Sequence, residues 1–161
     1  MASIFLSYAR EDRDVAETLA RILEEAGHRV WWDRRIDGGE EFAAEIESQL
    51  DDSDVVVVAW SRTSLKSRWV RDEAAVGGDK GILVPVTIDG SRPPMGFRQF
   101  HTLDLTDWKG GKRDRRTDEL LHSVGRRAEG KRTGRPADQL DPSRRFSVPA
   151  GRPLWLLAAA L

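Results

Sequence analysis

Apolar positions recur along the chain in two periods, one of strands and one of helices. Ile4 to Tyr8 reads as a short buried strand. The Asp, Glu and Arg cluster after it supplies caps for a helix whose apolar stripe is Val15, Leu19, Ile22, Leu23 and Ala26, and Gly27 stops that helix. His28 to Trp32 predicts a second strand. Phe42, Ile46 and Leu50 recur every four residues and mark a second helix. Val55 to Trp60 is the most strongly β-branched run in the chain and predicts the central strand. Leu65 to Val76 then reads as a third helix, Ile82 to Ile88 as a fourth strand and His101 to Leu105 as a short fifth. Leu120, Leu121 and Val124 place a last helix over Thr117 to Ala128.

Strands that alternate with helices, and that are continuous apolar runs, are buried on both faces, as in a parallel sheet. The pattern predicts an α/β protein of the flavodoxin-like type, a doubly wound sheet of five parallel strands with right-handed crossovers. Ligands of such sheets bind beyond the carboxyl ends of the strands, where the strand order reverses. The sequence has no internal repeat.

Charge divides the chain. Residues 1–108 carry 13 Lys and Arg against 21 Asp and Glu, a net of −8, while residues 109–161 carry 13 against 6, a net of +7. This break predicts a folded domain over residues 1–128 and a basic linker over 129–153, too poor in large apolar residues to order itself. Residues 154–161 (LWLLAAAL) are apolar throughout. That is far short of the ~20 residues that span a bilayer. Following Arg144, Arg145 and Arg152, they look like the start of a membrane helix in a longer parent chain, with membrane association through this tail as the expectation. Specific nucleic-acid binding is not expected of it. The N-terminus lacks a charged segment followed by an apolar core, so no signal peptide is read. The absence of cysteine fits a reducing, cytoplasmic setting and excludes disulfides, thiolate nucleophiles and Cys-ligated zinc.

Familiar nucleotide motifs are missing. The first strand is followed by SYARED rather than GxGxxG, which argues against a hydride-transfer site, and there is no GxxxxGK[ST] for a phosphate-binding loop. His28, His101 and His122 show no ligand spacing, so no metal site is expected. No serine sits in a GxSxG elbow with a histidine to complete a relay. The remaining chemistry is a single carboxylate in SRWVRDE (Ser67 to Glu73), where Trp69 precedes Glu73 by one helical turn and shares its face. Asp72 points about 100° away and reads as a solvated charge.

The succession IFLSYAREDRD, WWDRRIDGGEEF, DSDVVVVAWS and SRWVRDE resembles a Toll/interleukin receptor (TIR) domain across about residues 3–108. The resemblance, to the bacterial type of NAD-cleaving TIR domain, implies the flavodoxin-like fold and, as in many TIR domains of bacteria, plants and animals, cleavage of NAD between nicotinamide and ribose, in signalling or defence. It implies that Glu73 is the catalytic residue. It also implies a substrate pocket from Tyr8, Ala9 and Arg10 after the first strand, from Trp32 and Asp33 at the end of the second, and from Trp69 beside the nicotinamide. The loop from Arg34 to Phe42, with Arg35, Ile36, Gly39 and Phe42, corresponds to the segment that in catalytic TIR assemblies covers the substrate and touches a neighbouring molecule. NAD is then the substrate, no cofactor is expected, and the partners are other TIR domains in a homo-oligomer. The product, linear or cyclic ADP-ribose, stays open.

Plainer readings stand beside these. Trp31 and Trp32 face opposite sides of their strand, so one belongs to the core. Gly38 and Gly39 read equally as a turn, and Arg10, Arg34 and Arg35 as surface charges. The main alternative is a non-catalytic module that signals by TIR to TIR contact. A nucleoside 2-deoxyribosyltransferase would share the sheet and the carboxylate, but SYARED and WWDRRIDGGEEF match TIR domains more closely.

Overall fold

The computed structural model describes residues 1–32 and 40–134. Its centre is β3 (Val55–Trp60), in which all six residues are buried. Such a run is stable only with a strand on each side and a helical layer on each face. β1 (Ser3–Ser7) and β4 (Leu83–Thr87) flank it in parallel, with Ser7 opposite Val58 and Thr87 opposite Trp60. β2 (Arg29–Trp31) and β5 (Leu103–Asp104) complete a five-stranded parallel sheet in the order β2-β1-β3-β4-β5. The predicted fold class is therefore the observed one. The edge strands are shorter than their apolar runs, because each pairs on one side only and gives way to loop sooner.

Among the described residues four helices cover the sheet: α1 (Arg13–Glu25), α2 (Glu40–Asp52), α3 (Arg68–Asp79) and α4 (Arg115–Thr133). Leu19, Ile22 and Leu23 of α1 and Leu120, Val124 and Ala128 of α4 pack on one sheet face with Ile4, Leu6, Val55 and Val57. Ile46 and Leu50 of α2 and Val70 and Ala74 of α3 pack on the other with Phe5, Val56, Val58 and Trp60. Trp31 and Trp32 divide between these cores, but both are only half-buried; Trp31 stacks on Phe5 at 5.1 Å between ring centroids. Gly27 ends α1 with φ +90°, a conformation that favours glycine. Gly77 serves closeness: a Cβ there would lie 2.8 Å from Val56 Cβ, so α3 sits tightly on β3.

Two helix boundaries differ most from those expected. The third helix splits into a 3-10 turn (Ser64–Lys66) and α3, because the Ser67 side chain accepts from the Val70 N–H and starts a new helix. α4 runs to Thr133, past the expected linker start at 129, and Gly134 ends it with φ 64°. The extra turn is held by Lys131, whose Nζ donates to the Ser53 carbonyl at 2.6 Å. Residues 135–161, including the apolar terminal run, lie outside the described residues, as does the 33–39 part of the loop. No described helix is long and apolar enough to cross a membrane.

Candidate functional site

β1 and β3 are neighbours whose following helices, α1 and α3, lie on opposite faces of the sheet. Chain leaving their carboxyl ends must diverge, and a crevice opens between the two connections. A cleft of about 700 Å³ occupies this place. That is within the roughly 300–1,000 Å³ of small-molecule sites. Tyr8, Ala9, Arg10, Glu11 and Arg13 form one wall; Thr63, Lys66, Ser67, Trp69 and Val70 form the other. Three cations against one carboxylate give the lining a positive balance.

The walls are joined below the cleft. A 3-10 turn (Arg10–Asp12) leads into α1, and Asp12 at its end makes no helix-capping bond. Its carboxylate instead accepts from Ser61 Oγ, just past β3. Ser61 N–H donates to Ser64 Oγ at 2.7 Å, and Ser64 N–H returns a bond to Ser61 Oγ at 3.0 Å. Burial raises the Asp12 pKa above the ordinary aspartate value, with the nearby charges of Asp89 and Glu11 adding to the rise and the Ser61 bond opposing it.

Glu73 lies deeper. Its residue is 3% exposed, against 46% for Trp69. α3 begins at the carboxyl end of the sheet, so Trp69 in its first turn stands beyond the strands while Glu73, about 6 Å further along the axis, lies over them. The two share a face, as their spacing predicts, but differ in depth: Trp69 lines the cleft, and Glu73 is not among its lining residues. Ser7 Oγ, at the end of β1, donates to Glu73 Oε2 at 2.5 Å in a fully buried contact. Asp72 is exposed, as expected.

Of the expected substrate-binding residues, Tyr8, Ala9, Arg10 and Trp69 come together in the cleft. Trp32 stands behind its wall: Tyr8 Oη donates to the Trp32 carbonyl at 2.8 Å, and the Arg13 guanidinium lies 5.4 Å from the Trp32 ring centroid. Asp33, Arg35, Ile36 and Gly39 lie outside the described residues, and Phe42 falls in the first turn of α2. Sequence reasoning missed Ser7, Arg13, Thr63 and Lys66. Ser7 and Glu73 are 66 positions apart, a pairing that only the sheet creates.

The arrangement is a doubly wound sheet with a cationic, tryptophan-edged cleft at its switch point and a buried carboxylate one helical turn from the Trp69 wall. Residues 4–121 match the family model described as the TIR domain, and the chain belongs to that family. Among solved structures it is similar to the TIR domain of the Toll-related receptor TRR-2 from Hydra magnipapillata, at 25% identity and a TM-score of 0.58, covering 66% of this chain and 86% of that one. It is also similar to a TIR-STING receptor from C. gigas in complex with 2′,3′-cGAMP, at 22% identity and a TM-score of 0.60, covering 75% of this chain and 38% of that one. The TIR domains of the activated Roq1 resistosome, which recognises the effector XopQ, share the fold at 17% identity and a TM-score of 0.58, covering 77% of this chain and 99% of theirs. No curated protein matches the sequence.

Proposed function

We propose that this TIR domain is an NAD glycohydrolase, releasing nicotinamide and ADP-ribose, with Glu73 as its catalytic carboxylate. The observation that carries the reading is the buried Glu73 carboxylate, bonded to Ser7, the residue before cleft-lining Tyr8, and one helical turn on from cleft-lining Trp69. Nicotinamide leaves as a neutral group from a cationic pyridinium, so the bond breaks without a general acid. The ribosyl centre becomes oxocarbenium-like, and a water that adds to it gives up a proton as ADP-ribose forms; attack by the adenine in place of water would give the cyclic product. An anion in a poorly solvated place stabilises that cation more than it stabilises the ground state. Arg10, Arg13 and Lys66 suit the pyrophosphate, and Trp69 suits the nicotinamide face. The reading requires no cofactor.

Incubating the concentrated chain with NAD and separating the products by chromatography tests it, with nicotinamide and ADP-ribose as the expected products. A second reading, an adhesive module that acts by TIR to TIR contact, is favoured by the depth of Glu73 below the lined surface. Absence of nicotinamide, together with self-association in light scattering, would establish that reading instead. In either case we propose that residues 135–161 govern location rather than chemistry. Salt-sensitive co-sedimentation with anionic vesicles, lost on truncation after Gly134 while NAD cleavage persists, or self-association under the second reading, is the expected result.

A further inference from the structure

Ser7 is a polar residue at a strand position that the surrounding pattern would fill with an apolar one. It is wholly buried. Its side chain shares a sheet face with Phe5 and, by register, with Val58, and the core on that face is otherwise built from Trp60, Val70 and Ala74. In such surroundings a hydroxyl and a carboxylate both lose hydration, and one hydrogen bond between them at best offsets that loss. Packing alone favours alanine at this position.

We infer that Ser7 is a positioning residue for Glu73, an inference that rests on the NAD-cleaving reading above. The glutamate side chain has three rotatable bonds and hangs from α3, so helix packing alone does not choose among its rotamers. The Ser7 hydroxyl is carried by the backbone of β1, which the ladder with β3 fixes. Its proton is committed to Glu73 Oε2 at 2.5 Å. The next residues in the chain, Tyr8 and Ala9, line the cleft. One strand end therefore supplies part of the cleft wall and the hydrogen bond that orients the carboxylate. Ser7 touches no reacting atom; it acts through Glu73.

The test measures steady-state NAD cleavage and thermal unfolding on the full chain for wild type, Ser7→Ala, Ser7→Cys and the double variant Ser7→Ala/Glu73→Met. Ser7→Ala should lower kcat about 10- to 100-fold, with KM for NAD within about twofold. Ser7→Cys, close in size but a weak donor, should fall between. Unfolding of Ser7→Ala should come earlier than wild type, and the double variant should recover part of that loss, because the buried carboxylate deprived of the Ser7 donor is then replaced by an apolar side chain of similar length. A folded Ser7→Ala protein with wild-type kcat, or one whose loss lies in KM alone, overturns the positioning role and leaves the NAD reading standing. A concentrated wild-type protein that releases no nicotinamide overturns both.

Discussion

The two ends of the sheet are built on different terms. At the amino ends, polar groups are tied off where the sheet meets solvent: Ser3 N–H donates to Asp54 Oδ2 at 2.9 Å, Ala2 N–H to His28 Nδ1 at 3.2 Å, and Lys131 Nζ to the Ser53 carbonyl. At the carboxyl ends, polar side chains are taken into the interior: Ser7 with Glu73, and Ser61 with Asp12 and Ser64. Trp60 Nε1 and Thr87 Oγ1, opposite each other in register, are buried there without a hydrogen-bond partner among the described residues. Each such orphan costs about 1–3 kcal/mol. A chain that satisfies one end and leaves the other under-satisfied spends stability where the fold binds ligands.

The comparison breaks first on Glu73. Glu73→Gln should reduce NAD cleavage by about 10² to 10³, equivalent to about 3 kcal/mol or more of transition-state stabilisation, while the protein stays folded by circular dichroism. A folded Glu73→Gln protein that turns over NAD like wild type would show that the carboxyl-end carboxylate is structural after all.

A smaller effect concerns concentration. If the 34–42 loop of one copy completes the cleft of another, specific activity falls on hundredfold dilution, and charge reversal at Arg34 and Arg35 lowers activity and assembly together. Constant specific activity across that range assigns a complete site to the single chain. Smaller again is an amino-end change. Asp54→Ala removes the acceptor for Ser3 N–H and the carboxylate 3.6 Å from Lys131. It should cost about 1 kcal/mol and lower Tm by roughly 2–4 °C, with kcat unaltered. Loss of turnover at unchanged Tm would erase the division of labour between the ends.

Much of this division was legible in sequence, but unevenly. The strands follow from apolar runs and α1 and α2 from apolar stripes, because burial imposes those periods locally. The cleft's Tyr8, Ala9, Arg10 and Trp69 were implied by the resemblance to TIR domains, which rests on the contiguous segments IFLSYAREDRD and SRWVRDE. Depth was not legible: a spacing of four says that Trp69 and Glu73 share a face, but only the start of α3 at Ser67 sets which of them clears the sheet. Nor was Ser7, since its partner is brought by a β1 to β3 pairing across the chain. The basic tail shows the opposite limit, where composition predicted a linker from 129 and a lysine reaching back to Ser53 keeps the helix one turn longer.

The smallest expected effects separate the two ends by sign. At the amino end, burial lowers the His28 pKa, aided by the positive N-terminus. The folded state thus holds the proton less tightly than the unfolded chain. Its contribution is fully present above the ordinary histidine value of 6.5 and is lost as pH falls through the lower folded value. At the carboxyl end, Asp12 is shifted the other way, chiefly by burial, so the folded state favours its protonated form. Its contribution is greatest below the ordinary value of 3.8 and is lost as pH rises through the raised folded value. Asn at either position keeps an acceptor and removes the titration. Relative to wild type, His28→Asn should gain in Tm as pH is lowered from 7 to 5, and Asp12→Asn should gain as pH is raised from 4 to 7. Thermal midpoints across that range measure both. Parallel curves for wild type and Asp12→Asn would mean that the Ser61 bond fully compensates the half-buried charge, and that the carboxyl end carries no electrostatic cost at this position.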